Sequence, residues 1–316
     1  MINTADFFQM QRERYKMLIR KWSRSEKYRH RPCPWQNAPR ADGTCHCDEC
    51  LLEHEKLLTR DPVLQKWRFC NVFREDDKTT LWFRDNIRNP LRDKPREVIL
   101  ATVAFRWFNR IETGEKIKDV LLSGQWDGKT VRRRLYLEQP VVTGAYMIKS
   151  PPGMDKLEGV CWCIEQFVEH HLDTAASIWN KPGLGGRISL EEMWEVLMGS
   201  PFLGQFMAYE VVTDLRHTCV LENARDKMTW ANAGPGCTRG IGRVKAGDPD
   251  MYTATSKSDQ REMLNLMTQL LGMSTNPDNW PREWPPWEMR DVEHGLCEYD
   301  KYCRGRAGEK LKRRYP

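Results

Sequence analysis

The sequence predicts a mainly α, helical fold, and two observations carry that prediction. Apolar residues recur every three or four positions through most of the 316 residues, the spacing of one helix face, while the strict alternation of half-buried strands is scarce. The periodic segments are separated by a glycine-rich loop at 183–186 and a linker rich in proline and tryptophan from Trp280 to Trp287. Hydrophobic residues make up 40% and charged residues 30%, ordinary values for a globular protein with a substantial core.

Residues 7–22 have the pattern of an amphipathic helix, and 62–88 that of one or two helices carrying FCNVFREDDKTTLWFRDNI. Val98–Ile111 is apolar nearly all round and reads as a buried helix. A strong helical pattern covers 158–179. Beyond the glycine-rich loop, Ser189 is a natural N-cap for a helix through Met198, and a second helix runs from near Gly204 to near Leu215. Residues 256–271 form a further amphipathic segment, and a last helix is expected over roughly 288–302. No tandem repeat is visible. The expected organisation is one helical catalytic unit over 1–316, with room for two lobes, interrupted by an inserted Cys-rich loop at 33–58.

Charge and cysteine content narrow the class. Net charge is +6, with ten Lys/Arg against three Asp/Glu in residues 1–40 and seven against one in 301–316. Both ends suit a polyanion, and solvated basic faces are the plain alternative. No apolar run approaches the roughly 20 residues of a membrane span. The amphipathic N-terminus lacks the apolar core of a secretory signal, so a cytoplasmic setting without a membrane partner is expected. Most of the eleven cysteines then read as buried thiols, with one cluster reserved for metal.

The segment LEEMWEVLMGSPFLGQFMAYEVVTDL has a helix, a Ser-Pro-Phe-Leu-Gly turn and a second helix opening at Gly204. Such an opening points unpaired backbone N–H groups at an anion, here a DNA phosphate. The segment resembles the helix-hairpin-helix element of base-excision DNA glycosylases, which implies a glycosylase-like architecture. In those proteins an Asp follows the hairpin's last Gly by about twenty residues, and Asp226 stands in that register. Ordinary packing of two helices around a glycine turn is the competing explanation. Further on, Gly234, Gly236, Gly240 and Gly242 permit close backbone approach to a ligand, and Arg239 and Arg243 add fixed charge. Asn71, Arg74 and Asp77 are spaced to share one helix face. Arg106, Asn109 and Arg110 interrupt a buried helix, where polar groups serve either a site or a core ion-pair network. In the last helix Glu293, Cys297 and Lys301 form one stripe, with His294 and Glu298 beside it, a set suited to acid/base work or to exposed ion pairs.

Together these motifs resemble the α-glutamyl/putrescinyl thymine pyrophosphorylases, or amino acid:DNA transferases, whose helical domain also occurs in phage 5-hydroxymethyldeoxyuridine DNA kinases. The matching pieces are Phe69-Cys70-Asn71-Val72-Phe73-Arg74 with Asp77, Arg106-Trp107-Phe108-Asn109-Arg110, Gly234-Pro235-Gly236 with Arg239-Gly240, and Glu293-His294 with Leu296 to Lys301. One departure is an insertion between Pro34-Trp35 and Thr59-Arg60-Asp61-Pro62. It contains Cys45, Cys47 and Cys50, with Cys33 upstream and His54 downstream, the donor types of a structural zinc knuckle. Unliganded thiols remain the alternative.

The resemblance implies transfer of a free amino acid onto pyrophosphorylated 5-hydroxymethyluracil in double-stranded DNA, with pyrophosphate released, in the cytoplasm of a phage-infected bacterium. On chemical suitability, Asp226 is the expected base or a stabiliser of charge at the methylene. Arg74, Arg239 and Arg110 suit pyrophosphate, with Mg²⁺ as an optional aid. Asn71 suits the uracil edge, and Glu293 and Lys301 the incoming amino acid. Asp77, Arg106, Asn109, Gly204, Gly234, Gly236 and Glu298 complete the expected substrate and DNA contacts. No nucleotide cofactor is expected, because Gly128-Lys129-Thr130 has Ser123 where a P-loop needs its first glycine. A glycosylase-like excision enzyme and a non-catalytic DNA-binding module are the alternatives.

Overall fold

In a computed structural model of the chain, which describes residues 3–23, 57–179 and 188–315, the predicted helical class is realised. Among the described residues the regular structure is α1 (Thr4–Ser23), α2 (Pro62–Lys66), α3 (Lys78–Phe83), α4 (Pro95–Phe108), α5 (Ile111–Lys116), α6 (Lys118–Leu122), α7 (Gly128–Leu135), α8 (Lys156–His170), α9 (Leu172–Ile178), α10 (Leu190–Met198), α11 (Gln205–Leu215), α12 (Pro235–Ala246), α13 (Lys257–Met273) and α14 (Met289–Arg306). The described residues contain no strand, only an isolated bridge between Trp67 and Arg314. None of these helices is long and apolar enough to cross a membrane. The chain divides into two compact units, the first from Met1–Arg74, Pro235–Trp287 and Asp291–Pro316, the second from Glu75–Gly234 with Glu288–Arg290.

In the first unit α1 buries Phe7, Phe8, Met10 and Leu18. It is pinned to α14 by the Phe7 ring edge-on to Tyr299 at 5.6 Å and by Gln11, which donates to the Gly295 carbonyl at 2.9 Å. The Trp280–Trp287 linker is a core element: Trp280 packs against Trp284 at 4.7 Å and Trp287 at 5.1 Å, and Tyr15 meets Trp284 at 4.8 Å. Three indoles supply the apolar area that a short linker otherwise lacks. Helix α12 lies directly on α14, since a Cβ on Gly236 would collide with Cys297 Sγ and one on Gly240 with the Leu296 carbonyl. The glycines expected to let a ligand approach, Gly236, Gly240 and Gly242, therefore lie on a helix. The close approach that Gly236 and Gly240 permit is to a neighbouring backbone, and Gly242 is similarly occupied by the Asp248 carbonyl.

The second unit is built around α4. Pro95 opens it, every residue from Val98 to Phe108 is buried, and Asn109 ends it in the left-handed region at φ 46°. Helices α6, α8, α9 and α11 pack on it. The predicted hairpin helices fall where expected. Ser189 caps α10 in a reciprocal capping box with Glu192, and Gly204 is the N-cap of α11.

The largest departure is in 62–88. Asp61 caps α2 through the Val63 and Leu64 amides, but the chain leaves helix at Trp67 (φ −118°, ψ 141°) and resumes α-helix at Lys78. Asn71, Arg74 and Asp77 thus do not share a helix face. The reason lies in where the backbone groups go. Arg68 N–H donates to Arg313 O at 3.0 Å, and Cys70 N–H donates to the Glu298 carboxylate at 3.0 Å. Side chains and the C-terminal tail satisfy groups that helix bonds would have used. The 158–179 segment also breaks, at His171. The glycine-rich loop at 183–186, and the cluster of Cys33, Cys45, Cys47, Cys50 and His54, lie outside the described residues.

Candidate active site

In the first unit, the non-helical 68–71 segment is held against α14 by polar side chains from α1 and α14. Arg14, a buried residue of α1, donates to the Cys70 carbonyl from Nη2 at 2.5 Å and from Nε at 3.2 Å, and to the Asn71 carbonyl at 3.0 Å. Its other terminal nitrogen donates to Gln11 Oε1, so Gln11 and Arg14 act as one buried strut. His294 Nε2 lies 3.2 Å from the Asn71 carbonyl. Lys301 donates to the Arg68 carbonyl at 2.6 Å, sits 3.3 Å from Glu298, and places its ammonium 4.5 Å from the Phe69 ring centre.

Glu298 is the hub, buried with 6% of its surface exposed. Burial alone would push its carboxyl up, but the charges of Lys301, Arg14 and His294, with the Cys70 amide, outweigh it and hold the group below the ordinary carboxylate range. The Cys70 thiol is exposed and lies within 4.8 Å of a His294 ring nitrogen. The matched motifs FCNVFR and EHGLCEYDK, more than two hundred positions apart, thus meet in one place. Glu293 is also buried on α14. Four positions apart on α12, Arg239 and Arg243 each donate to the buried Asp300 at 2.9 Å. Arg239 keeps 39% of its side chain exposed, and Arg74, at the end of the 68–74 segment, is buried.

The second unit uses its expected residues differently. Arg106 and Asn109, considered for substrate contact, belong to a core ion-pair network. Arg106 donates twice to Asp214, at 2.5 and 2.8 Å, and to Asn109 Oδ1 at 2.7 Å. Arg88 adds a contact with the same carboxylate at 3.8 Å and pairs with Glu75. The correction has a simple cause: Asp214 is fully buried and needs cations, which the interior of α4 and the Arg84–Arg88 π-helical turn provide. Arg110 donates to Glu112 at 2.9 Å and to the Pro140 carbonyl. Asp77 occupies the N-cap position of α3.

Asp226, expected as a base, is a helix cap. One oxygen accepts from Leu190 N–H at 2.7 Å and the other from Glu191 N–H at 3.1 Å. The carboxylate sits at the positive end of α10, where an anion is stabilised. No Cβ neighbour crowds Gly204 or Gly234. The hairpin from Leu190 to Leu215 carries no Lys or Arg, and three of its acidic residues, Glu191, Glu192 and Glu195, lie outside the core, a charge pattern opposed to phosphate binding.

Sequence reasoning did not single out Gln11 or Arg14, and it had Asp300 only as part of the closing motif. Two polar residues three apart on the apolar face of α1 were the available signal. The thiol of Cys70 and the ring of His294 are donor types that also suit a metal ion.

The family model for the helical domain of 5-hmdU DNA kinase matches residues 50–312. A 5-hmdU DNA kinase of Bacillus phage SP10 is 30% identical over an alignment of 276 residues that covers 81% of this chain and 42% of that relative. The chain spans about two-fifths of the length of this curated relative. No solved structure matches the chain. With the matched region covering the Cys70 segment, α12 and α14 together, the chain belongs to the family of 5-hmdU DNA kinase helical domains.

Proposed function

We propose that the chain is a transferase of phage thymidine hypermodification, joining a free amino acid to pyrophosphorylated 5-hydroxymethyluracil in double-stranded DNA and releasing pyrophosphate. The observation that carries this reading is the buried Glu298 cluster, built from the family motifs and ringed by Arg14, His294 and Lys301. The relative's name points to 5-hmdU in DNA as the shared substrate context, and an infected bacterial cytoplasm is the corresponding setting.

Three tasks fall to the residues. The base must leave the stack, at a cost of about a few kcal/mol, and Asn71 reads its edge. Departing pyrophosphate needs cations, for which Arg74 and Arg239 stand in the first unit, with Mg²⁺ as an auxiliary charge. The incoming ammonium must lose a proton, a task suited to His294 or to a carboxylate of α14 rather than to the capped Asp226. Glu293 and Lys301 hold the amino acid. A structural Zn²⁺ on Cys33, Cys45, Cys47 and Cys50 would brace the insertion without taking part in chemistry.

The relative's name favours a second reading, a DNA-recognition part of a kinase. Against phosphoryl transfer by this chain, Ser123 stands where a P-loop needs its first glycine, and the helix α6 rather than a strand precedes Gly128-Lys129-Thr130. The test incubates the protein with pyrophosphorylated substrate DNA and a pool of the twenty amino acids plus ornithine, then weighs the digested nucleosides. A nucleoside heavier by an amino acid, with pyrophosphate released and strands intact, is expected. Free base or abasic sites would mean excision. Phosphorylation of unpyrophosphorylated 5-hydroxymethyluracil with ATP would mean a kinase.

A further inference from the structure

The mechanism above leaves one reactive group unused. Cys70 is exposed, and its backbone is fixed on both sides: the amide donates to Glu298 and the carbonyl accepts from Arg14. The thiol lies within 4.8 Å of a His294 ring nitrogen. The charged forms of Glu298 and His294 attract one another. These are the groups an activated sulfur nucleophile needs, brought near one another: a thiol, an imidazole to take its proton, and a buried carboxylate to stabilise the resulting imidazolium. Cys297 is not equivalent, since its sulfur is packed where a Cβ of Gly236 would fall.

The proposed substrate gives such a thiol a task. Direct displacement at the methylene of a 5-substituted uracil is hindered by the electron-poor ring. Addition of a nucleophile at C6 removes that obstacle, because electron density reaches C5 and can expel a leaving group from the methylene. We propose that Cys70 is a covalent catalyst, adding through Sγ to C6 of the pyrophosphorylated 5-hydroxymethyluracil, with His294 receiving the thiol proton. This inference rests on the transferase reading.

The steps balance. The Cys70 S–H proton moves to His294 as the S–C6 bond forms and the C5–C6 double bond becomes an enolate through C4. The enolate expels pyrophosphate, breaking the methylene C–O bond and leaving an exocyclic methylene at C5. The free amine of the amino acid adds to that methylene, forming the C–N bond and restoring the enolate, and the amine's surplus proton passes to a base. Re-formation of the C5–C6 double bond expels the Cys70 thiolate, which recovers its proton from His294. No oxidant or reductant is consumed. The uracil ring ends as it began, with nitrogen in place of the pyrophosphate oxygen.

The test uses the whole chain, DNA carrying pyrophosphorylated 5-hydroxymethyluracil, and amino acid either supplied or withheld. With amino acid, wild type yields modified nucleoside, while Cys70→Ala and Cys70→Ser lose at least a hundredfold in rate yet keep DNA affinity and melting temperature. Cys219→Ser, in the second unit, turns over normally. With amino acid withheld, wild type releases pyrophosphate and forms a denaturation-resistant protein–DNA adduct that peptide mapping places at Cys70. The adduct keeps the inference testable if a Cys70 variant fails to fold. Full turnover by Cys70→Ala, an adduct at another residue, or turnover by wild type with no adduct would overturn the role of Cys70 and leave transfer standing. Absence of modified nucleoside from wild type would overturn the transfer reading and this inference together.

Discussion

At the scale of the residue, the buried carboxylates Asp214, Glu298 and Asp300 each meet cationic side chains. Glu298 is the clearest case. Glu298→Gln leaves Arg14, His294 and Lys301 around a neutral amide, and a loss of about 3 kcal/mol in urea unfolding is expected, with transfer abolished. A stability equal to wild type would contradict the hub. His217 is the acid-sensitive counterpart. Burial first, then the nearby Arg216 charge, pulls it down to about 4, against the opposing pull of Glu75. The unfolded chain therefore binds a proton near pH 6.5 that the folded one refuses until about 4. Stability falls as pH drops through that window, and His217→Gln flattens the fall. Because a third of the His217 side chain is exposed, the effect is about 1 kcal/mol after screening, readable from melts at pH 7 and pH 4.5. Little of this was legible beforehand. Arg106 and Asn109 announced themselves as polar groups in an apolar helix, but their partner Asp214 comes from a distant segment that periodicity does not connect. Arg14 was hidden in a strongly basic stretch, where one more arginine carries no signal.

At the scale of the element, glycine and caps decide what the helices do. Gly240 lies on the Leu296 backbone, whereas Gly272 on α13 meets nothing within 4 Å. Alanine favours helix over glycine by about 1 kcal/mol, so Gly272→Ala is expected to stabilise by roughly that amount. Gly240→Ala should instead destabilise by about 2 kcal/mol, since the collision is with a main-chain carbonyl that no rotamer change relieves. Equal effects at the two sites in thermal melts would contradict the α12–α14 packing. Asp226→Ala removes the acceptor of two α10 amides and should cost about 1 kcal/mol, with turnover per folded molecule retained. A hundredfold loss of turnover at unchanged stability would restore Asp226 as a base. The helices with explicit local signals were legible: Ser189 with Glu192, Gly204 and the Leu215 end fell in register because capping chemistry is written within four residues. The 67–73 segment was not, because its apolar spacing imitates a helix while its backbone is satisfied by Glu298, Arg14 and Arg313 from elsewhere in the chain. The glycines of α12 imitated a ligand site for a related reason, since close approach to a ligand and close approach to a helix demand the same residue.

At the scale of the whole molecule, the helical class and the family were both legible, the first from period and the second from motifs spread along the chain. The placement of those motifs was not. Asp226 belongs to the second unit, while Arg74, Arg239 and the Cys70–Glu298 cluster belong to the first, so the chemistry proposed for this protein centres on α1, the 68–74 segment and α14. The central claim is that this family's helical domain here performs transfer. Its most direct test is the mass of nucleosides digested from pyrophosphorylated 5-hydroxymethyluracil DNA after incubation with the protein and amino acids. The account predicts a new nucleoside carrying one amino acid, formed by wild type and lost in Glu298→Gln. Recovery of only the starting nucleosides, with every amino acid and ornithine supplied, would contradict it.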